Sequence, residues 1–224
     1  MKKRKDLSWI KVCLGVLGIT PLVLGLALYP MLPDLIPSNW GVTGEITDYM
    51  DKTLFISMMG SLPAVIIIVL IAAMKIDPLY KNYTKFKKEY YCIVIATALF
   101  MNLMFFGTVT YILGFKFDMI TFVIVLVGAL IAVLGYFLPF VKRNYFCGFR
   151  TPWALSDDKN WDYTNKIGGQ VSVVIGILVA LIGALRLDPV ITFIGIMAII
   201  LIGLTFPILA SYNYFKNNQK KKTN

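Results

Sequence analysis

Three kinds of side chain in this sequence could carry chemistry: twelve carboxylic acids, three cysteines and an arginine set close to tryptophans. Asp157, Asp158 and Asp162 would supply the acid and base of a membrane-embedded enzyme acting on lipid or peptide. Asp34, Glu45, Asp48 and Asp51 would present an acidic face to a cationic ligand, and their spacing does not follow the D-x-[DN]-x-[DN]-G pattern of a calcium loop. Cys13, Cys92 and Cys147 stand in separate segments without a C-x-x-C pair, so neither a disulfide framework nor a zinc site is indicated. The chain contains no histidine, which removes the usual neutral-pH proton shuttle, H-E-x-x-H hydrolysis, Ser-His-Asp chemistry and haem ligation by histidine. Phosphate-loop, dinucleotide-binding and nucleophile-elbow motifs are missing as well. We therefore assign no catalytic, cofactor-binding or metal-ligating residue and read the protein as non-enzymatic.

The elements that must position these residues follow from hydropathy. Of the 224 residues 58% are hydrophobic and 15% charged, with a mean hydropathy of +0.74, which excludes an ordinary soluble domain. Six charge-free runs appear at Val12 to Pro33, Thr53 to Met74, Tyr90 to Phe115, Met119 to Val141, Ile167 to Leu185, and Pro189 to Phe215. The shortest has 19 residues, about 28 Å of helix, which nearly matches a hydrocarbon core of roughly 30 Å. The expected fold is an all-α polytopic membrane protein with six transmembrane helices; a β-barrel would alternate polar and apolar residues instead. The first run follows Lys2, Lys3, Arg4 and Lys5 but lacks an A-x-A cleavage site, and no small residue precedes Cys13 as a lipobox requires, so it reads as a retained helix.

Charge sets the expected orientation. The N-tail, second loop, fourth loop and C-tail hold 19 of the 22 Lys and Arg, and the other three loops hold 3, which places both termini in the cytoplasm. The pI near 9.5 then reflects topology and gives no indication of direct nucleic-acid binding. Lys81, Lys85, Lys87 and Lys88, and Lys220 to Lys222 in the tail, suit attraction to anionic lipid of the inner leaflet.

Within the runs there is no Asp, Glu, Lys, Arg or His, which argues against a proton relay or ion-coupled transport. Asn102 is the most polar mid-helix residue and is read as an interhelical hydrogen-bonding group. In the fifth run Gly168, Ser172, Gly176, Ala180 and Ala184 recur every fourth position, a stripe that lets a second backbone approach closely. The partner is another helix of the same chain or a second copy, so a homodimer stays open. Pro21, Pro63, Pro139 and Pro207 fall inside or near the ends of four runs. A faint repeat relates Lys116-Phe117-Asp118 with the following Ile120-Thr121-Phe122 to Arg186-Leu187-Asp188 with Ile191-Thr192-Phe193, and Asn144-Tyr145-Phe146 to Asn213-Tyr214-Phe215, at offsets of 69 to 71, as a hairpin duplication would.

Two loops are more than connectors. The first outer loop, 32–52, has prolines, glycines and aromatics at turn spacing and reads as ordered, with Trp40 and Tyr49 at the membrane interface. The cytoplasmic loop, 142–166, is too aromatic for a disordered linker. Ser156 is placed to cap a helix carrying Trp161 and Thr164, and Arg150 to contact a tryptophan or brace Asp157 or Asp158. The expected domains are 1–89, a helical pair with its outer loop, and 90–224, a four-helix region with the signature loop 142–166.

The residues of these two loops resemble those of the SdpI immunity proteins of Gram-positive bacteria. The outer segment is similar through Pro33, Asp34, Pro37, Trp40, Gly44, Asp48 and Lys52, which resemble that family's N-terminal domain of unknown function. The inner segment is similar through Asn144, Tyr145, Phe146, Gly148, Arg150, Thr151, Pro152, Trp153, Trp161, Thr164 and Gly168-Gly169. Where relatives commonly carry histidine, this chain has Asn39 and Asn165. The resemblance implies a multi-pass cell-membrane protein that protects its producer against a secreted, membrane-active peptide toxin. It also implies a receptor role, in which the toxin-engaged protein holds a winged-helix autorepressor at the membrane. The alternatives are a small-molecule or peptide transporter lined by kinked helices and Asn102, and an orphan membrane regulator.

Overall fold

The computed structural model describes residues 8–223, with side chains to 219, so the basic residues at 2–5 and 220–222 lie outside the described side chains. Its helices are α1 (Ser8–Leu28), α2 (Lys52–Ile76), α3 (Lys87–Ile112), α4 (Met119–Phe137), the short α5 (Pro152–Ser156), α6 (Asp158–Ala184) and α7 (Pro189–Thr223). Six helical stretches are long and apolar enough to cross a membrane: Ser8–Met31, Lys52–Ile76, Lys87–Ile112, Met119–Phe140, Asp158–Ala184 and Pro189–Gln219. They coincide with the six runs, and the all-α polytopic fold stands. Their surfaces suit lipid: Val12, Val16, Ile19 and Val23 form one exposed stripe on α1, at a spacing that keeps them on one helical face.

The loop between α1 and α2, read from the sequence as ordered, carries strand pairing that its turn residues did not announce. It forms an antiparallel hairpin of β1 (Leu35–Trp40) and β2 (Ile46–Asp51). Gly44 closes its turn at φ +90, a conformation only glycine enters cheaply, and Gly41 and Glu45 join across it by a 2.8 Å backbone bond. Pro37 is accommodated because a two-stranded ribbon leaves each strand with an edge where no N–H is needed.

The chain forms two compact units. The first comprises residues up to 71 together with 94–122. Its core joins Leu32 and Ile36 of the hairpin segment to Phe55 and Ile56 of α2 and Phe105 and Val109 of α3, with Phe55 and Phe105 stacked 5.4 Å apart. Asn102 Nδ2 donates to Leu17 O at 2.9 Å and to Ala98 O at 2.8 Å, so the mid-helix amide does tie α3 to α1.

The second unit comprises 72–93 and 123–224. Here the small-residue stripe meets α4: a Cβ on Gly128 would lie 2.5 Å from Ala180 N and 2.6 Å from Gly176 O, and one on Gly135 would lie 2.7 Å from Ser172 Cβ. Two backbones approach this closely only where side chains are absent or minimal. The stripe is thus a seam within one chain at Ser172, Gly176 and Ala180, while Gly168 at its end faces the ring of Phe149. Pro21, Pro63 and Pro207 lie inside α1, α2 and α7, and Pro139 sits in the 3-10 turn Leu138–Phe140 that ends α4.

The repeated tripeptides have one shared structural role. Asp118 Oδ1 accepts the N–H of Ile120 at 3.1 Å and opens α4; Asp188 Oδ1 accepts those of Val190 and Ile191 at 3.0 Å and opens α7. The second echo does not extend to structure, since Asn144 lies in a loop and Asn213 within α7.

Candidate functional site: a loop held by buried asparagines

The segment from 141 to 165 is organised by five buried amides and hydroxyls, Asn144, Thr151, Asn160, Thr164 and Asn165. Asn144 is fully buried and uses both ends of its side chain: Nδ2 donates to Lys142 O (2.8 Å) and Cys147 O (2.9 Å), while Oδ1 accepts the N–H of Phe146 (2.8 Å) and Cys147 (2.7 Å). One side chain thereby shapes a whole turn, as asparagine does where backbone groups would otherwise lack partners. Gly148 follows at φ +115, and a Cβ there would lie 2.5 Å from Asn165 Oδ1. That oxygen instead accepts the Phe149 N–H at 2.8 Å, and Asn165 Nδ2 donates to Trp161 O at 3.1 Å. Trp161, fully buried, donates its indole N–H to Val141 O at 2.8 Å.

A second set of bonds fastens this loop to the helices. Thr151 caps α5 by accepting the Ala154 N–H at 3.1 Å, with Pro152 in the first helical turn where its missing N–H costs nothing. The Thr151 hydroxyl also lies 2.6 Å from that of Ser211 on α7. Asn160 Oδ1 accepts from Thr164 (2.9 Å) and Ser211 (3.1 Å), and its Nδ2 donates to Ser211 O at 3.2 Å. Trp153 packs on Tyr212 with ring centroids 5.1 Å apart.

Two details differ from the sequence expectation. The cap of α6 is Asp157, which accepts the Asn160 N–H at 3.0 Å, whereas Ser156 ends α5; a carboxylate one residue later wins the position because it points at the exposed N–H groups. The brace to Asp158 comes from Arg143 at 2.7 Å, and Arg150 donates through Nη1 to Tyr145 O. Lys142 pairs with Asp162 at 3.0 Å, so Asp158 and Asp162 are both held in ion pairs.

Asp77 was not singled out by sequence reasoning. It is 1% exposed, and its carboxyl accepts from Leu79 N (2.7 Å), Tyr83 Oη (2.9 Å) and Tyr145 N (2.8 Å). Burial and the adjacent Asp77 push the Tyr83 hydroxyl well above the ordinary tyrosine range. Burial likewise raises the Cys147 thiol to about 11, with Arg150 opposing the shift, so this cysteine is a poor nucleophile. The only signal for Asp77 in the sequence is a lone acid, followed by Pro78, at the end of an apolar run. Asn160 and Ser211 carried no signal beyond their polarity.

The hairpin gathers the other predicted residues. Lys52 Nζ pairs with Asp34 at 2.9 Å and lies 4.6 Å from the centroid of the Tyr29 ring. Asn39 pairs in register with Asp48, Pro37 is buried, and Trp40 meets Tyr111 edge-on at 6.1 Å. Pro33, Asp34, Glu45, Asp48 and Asp51 are exposed. Thr53 and Leu54 donate their N–H groups to Asp51 and lower its pKa. Among the described residues no group of three or more His, Cys, Asp or Glu side chains is arranged to hold a metal.

Comparison with known proteins agrees with both segments. Residues 141–211 match the SdpI/YfhL protein family, and residues 16–67 match a domain of unknown function, DUF1648. The chain is 25% identical over 214 residues to the protein named Immunity protein SdpI of Bacillus subtilis (strain 168), covering 96% of this chain and 97% of that relative. No solved structure matches it. The chain is thus a multi-pass cell-membrane protein in which a segment matching the SdpI/YfhL family follows one matching a domain of unknown function.

Proposed function

We propose that this protein is a membrane immunity protein, which protects its producer against a secreted, membrane-active peptide toxin. The observation that carries the reading is the similarity to Immunity protein SdpI along almost the whole of both chains. The placement of 19 of 22 basic residues supports a cytoplasmic position for both termini and for the 142–166 loop, with the hairpin outside. A secreted peptide then meets the hairpin first, where the exposed carboxylates Asp34, Glu45, Asp48 and Asp51 favour a cationic segment.

The cytoplasmic loop suits the second role, holding a winged-helix autorepressor at the membrane. Asn144, Gly148, Thr151, Trp161 and Thr164 shape the loop from within. Tyr145 and Phe146, 46% and 43% exposed although aromatic, are the side chains we assign to the partner, with Arg150 fixing the Tyr145 carbonyl. The test is survival of a sensitive Gram-positive host under toxin, with and without this chain in its membrane. Protection is expected; a correctly inserted chain that leaves killing unchanged overturns the reading.

A further inference from the structure

Beside the 145–155 segment lies an open groove of 660 Å³, lined among others by Tyr145, Phe149, Arg150, Trp153, Leu155 and Ile208. Its walls are mostly apolar, Arg150 is its one charged side chain, and no carboxylate lines it. Ile208 belongs to a stripe on α7 formed with Leu201, Leu204 and Tyr212, which share one helical face and are 44%, 65%, 43% and 41% exposed respectively. The groove therefore continues an apolar helix face, and the Trp153–Tyr212 pair sits where the two join. Tryptophan and tyrosine favour this position at a membrane–water boundary.

We propose that this groove binds an anionic phospholipid, with its phosphodiester on Arg150 and an acyl chain along Leu201, Leu204 and Ile208. The guanidinium commits Nη1 to Tyr145 O and presents a planar fork of donors suited to two phosphate oxygens. An apolar floor alone would accept any lipid; the lone cation at its mouth selects a headgroup with net negative charge. A soluble phosphate would gain the ion pair but not the apolar contact, so the membrane lipid is the occupant to which both halves of the groove are suited.

The test is native mass spectrometry of the full chain from detergent micelles, titrated with phosphatidylglycerol or phosphatidylcholine of the same acyl chains. The first phosphatidylglycerol should bind about fivefold more tightly, as one basic side chain near an anionic headgroup gives roughly that factor. Arg150→Gln should abolish the preference. Ile208→Trp, which fills the groove from α7 and leaves Arg150 in place, should weaken binding of both lipids, whereas Lys159→Gln outside the groove should bind as the native chain does. Equal retention of the two lipids by the native chain, a preference that survives in both groove variants, or displacement by excess inorganic phosphate would each overturn the proposal. None of these outcomes bears on survival under toxin, which tests the immunity reading separately.

Discussion

The backbone N–H of Tyr145 donates to Asp77 Oδ2 at 2.8 Å, across 68 residues of sequence. The bond joins the loop after α2 to the loop before α5, and Tyr83 reinforces it by donating to the same oxygen at 2.9 Å, with Asn144 Oδ1 3.2 Å from its hydroxyl. Two loops that differ widely in sequence position therefore stand or fall together.

Replacing Asp77 by alanine leaves the Tyr83 hydroxyl and the Tyr145 N–H buried without that acceptor, at a cost of about 3 kcal/mol. Asp77→Asn keeps one acceptor oxygen and should cost less than half of that. Thermal denaturation in detergent, followed by circular dichroism, should rank the proteins native, Asp77→Asn, Asp77→Ala. Equal midpoints for native and Asp77→Ala would show that the network holds nothing.

The Tyr83 environment also makes a prediction about alkaline pH. A phenol whose folded pKa exceeds its unfolded value of about 10 holds its proton longer in the native state. Its contribution is complete below about pH 10 and is lost as pH rises through the higher folded value. Tyr83→Phe should be less stable than native at neutral pH, and the gap should narrow as pH rises from about 10 to about 12. A gap that stays constant over that range would contradict the assignment.

Close approach along the α4–α6 seam predicts strong side-chain size dependence. A methyl on Gly176 would run into the backbone of Ala132 and Gly128, so Gly176→Ala should cost about 2 kcal/mol through overpacking. Gly195, with nothing within 4 Å of the same position, should accept alanine with little change. Folded yield after detergent extraction separates the two variants.

Asn165 both accepts and donates within a buried site, two tasks that a neutral imidazole can also perform with its two ring nitrogens. Asn165→His should fold near pH 8. Protonation turns the accepting nitrogen into a donor facing the Phe149 N–H, so the variant should lose stability as pH falls through about 6.5 while native does not. A pH-independent variant would show that the loop does not need this acceptor.

The helices were legible in the sequence because a membrane span depends on an uninterrupted apolar run, a local property. Asn102 and the Gly128–Gly176 seam were half-legible: residue type indicated close interhelical contact, while the partner depended on packing. The hairpin was missed since Pro37 and the short 35–40 segment give little alternation, and its register rests on burial of Leu32 and Ile36 against α2 and α3. Asp77 was illegible for a plainer reason. Its role depends on Tyr145, whose distance along the chain no local pattern encodes. Within the 142–166 loop the right residues were marked, but sequence could not tell buried Asn144 and Thr164 from exposed Tyr145 and Phe146.

The central claim is best tested by toxin survival at matched membrane levels of three proteins: native, a hairpin variant (Glu45→Gln with Asp48→Asn) and a loop variant (Tyr145→Ala with Phe146→Ala). The account predicts that native protects, that the hairpin variant protects less, and that the loop variant protects yet fails to relieve repression of a reporter. Native protein that is folded, inserted and unable to raise survival would contradict it.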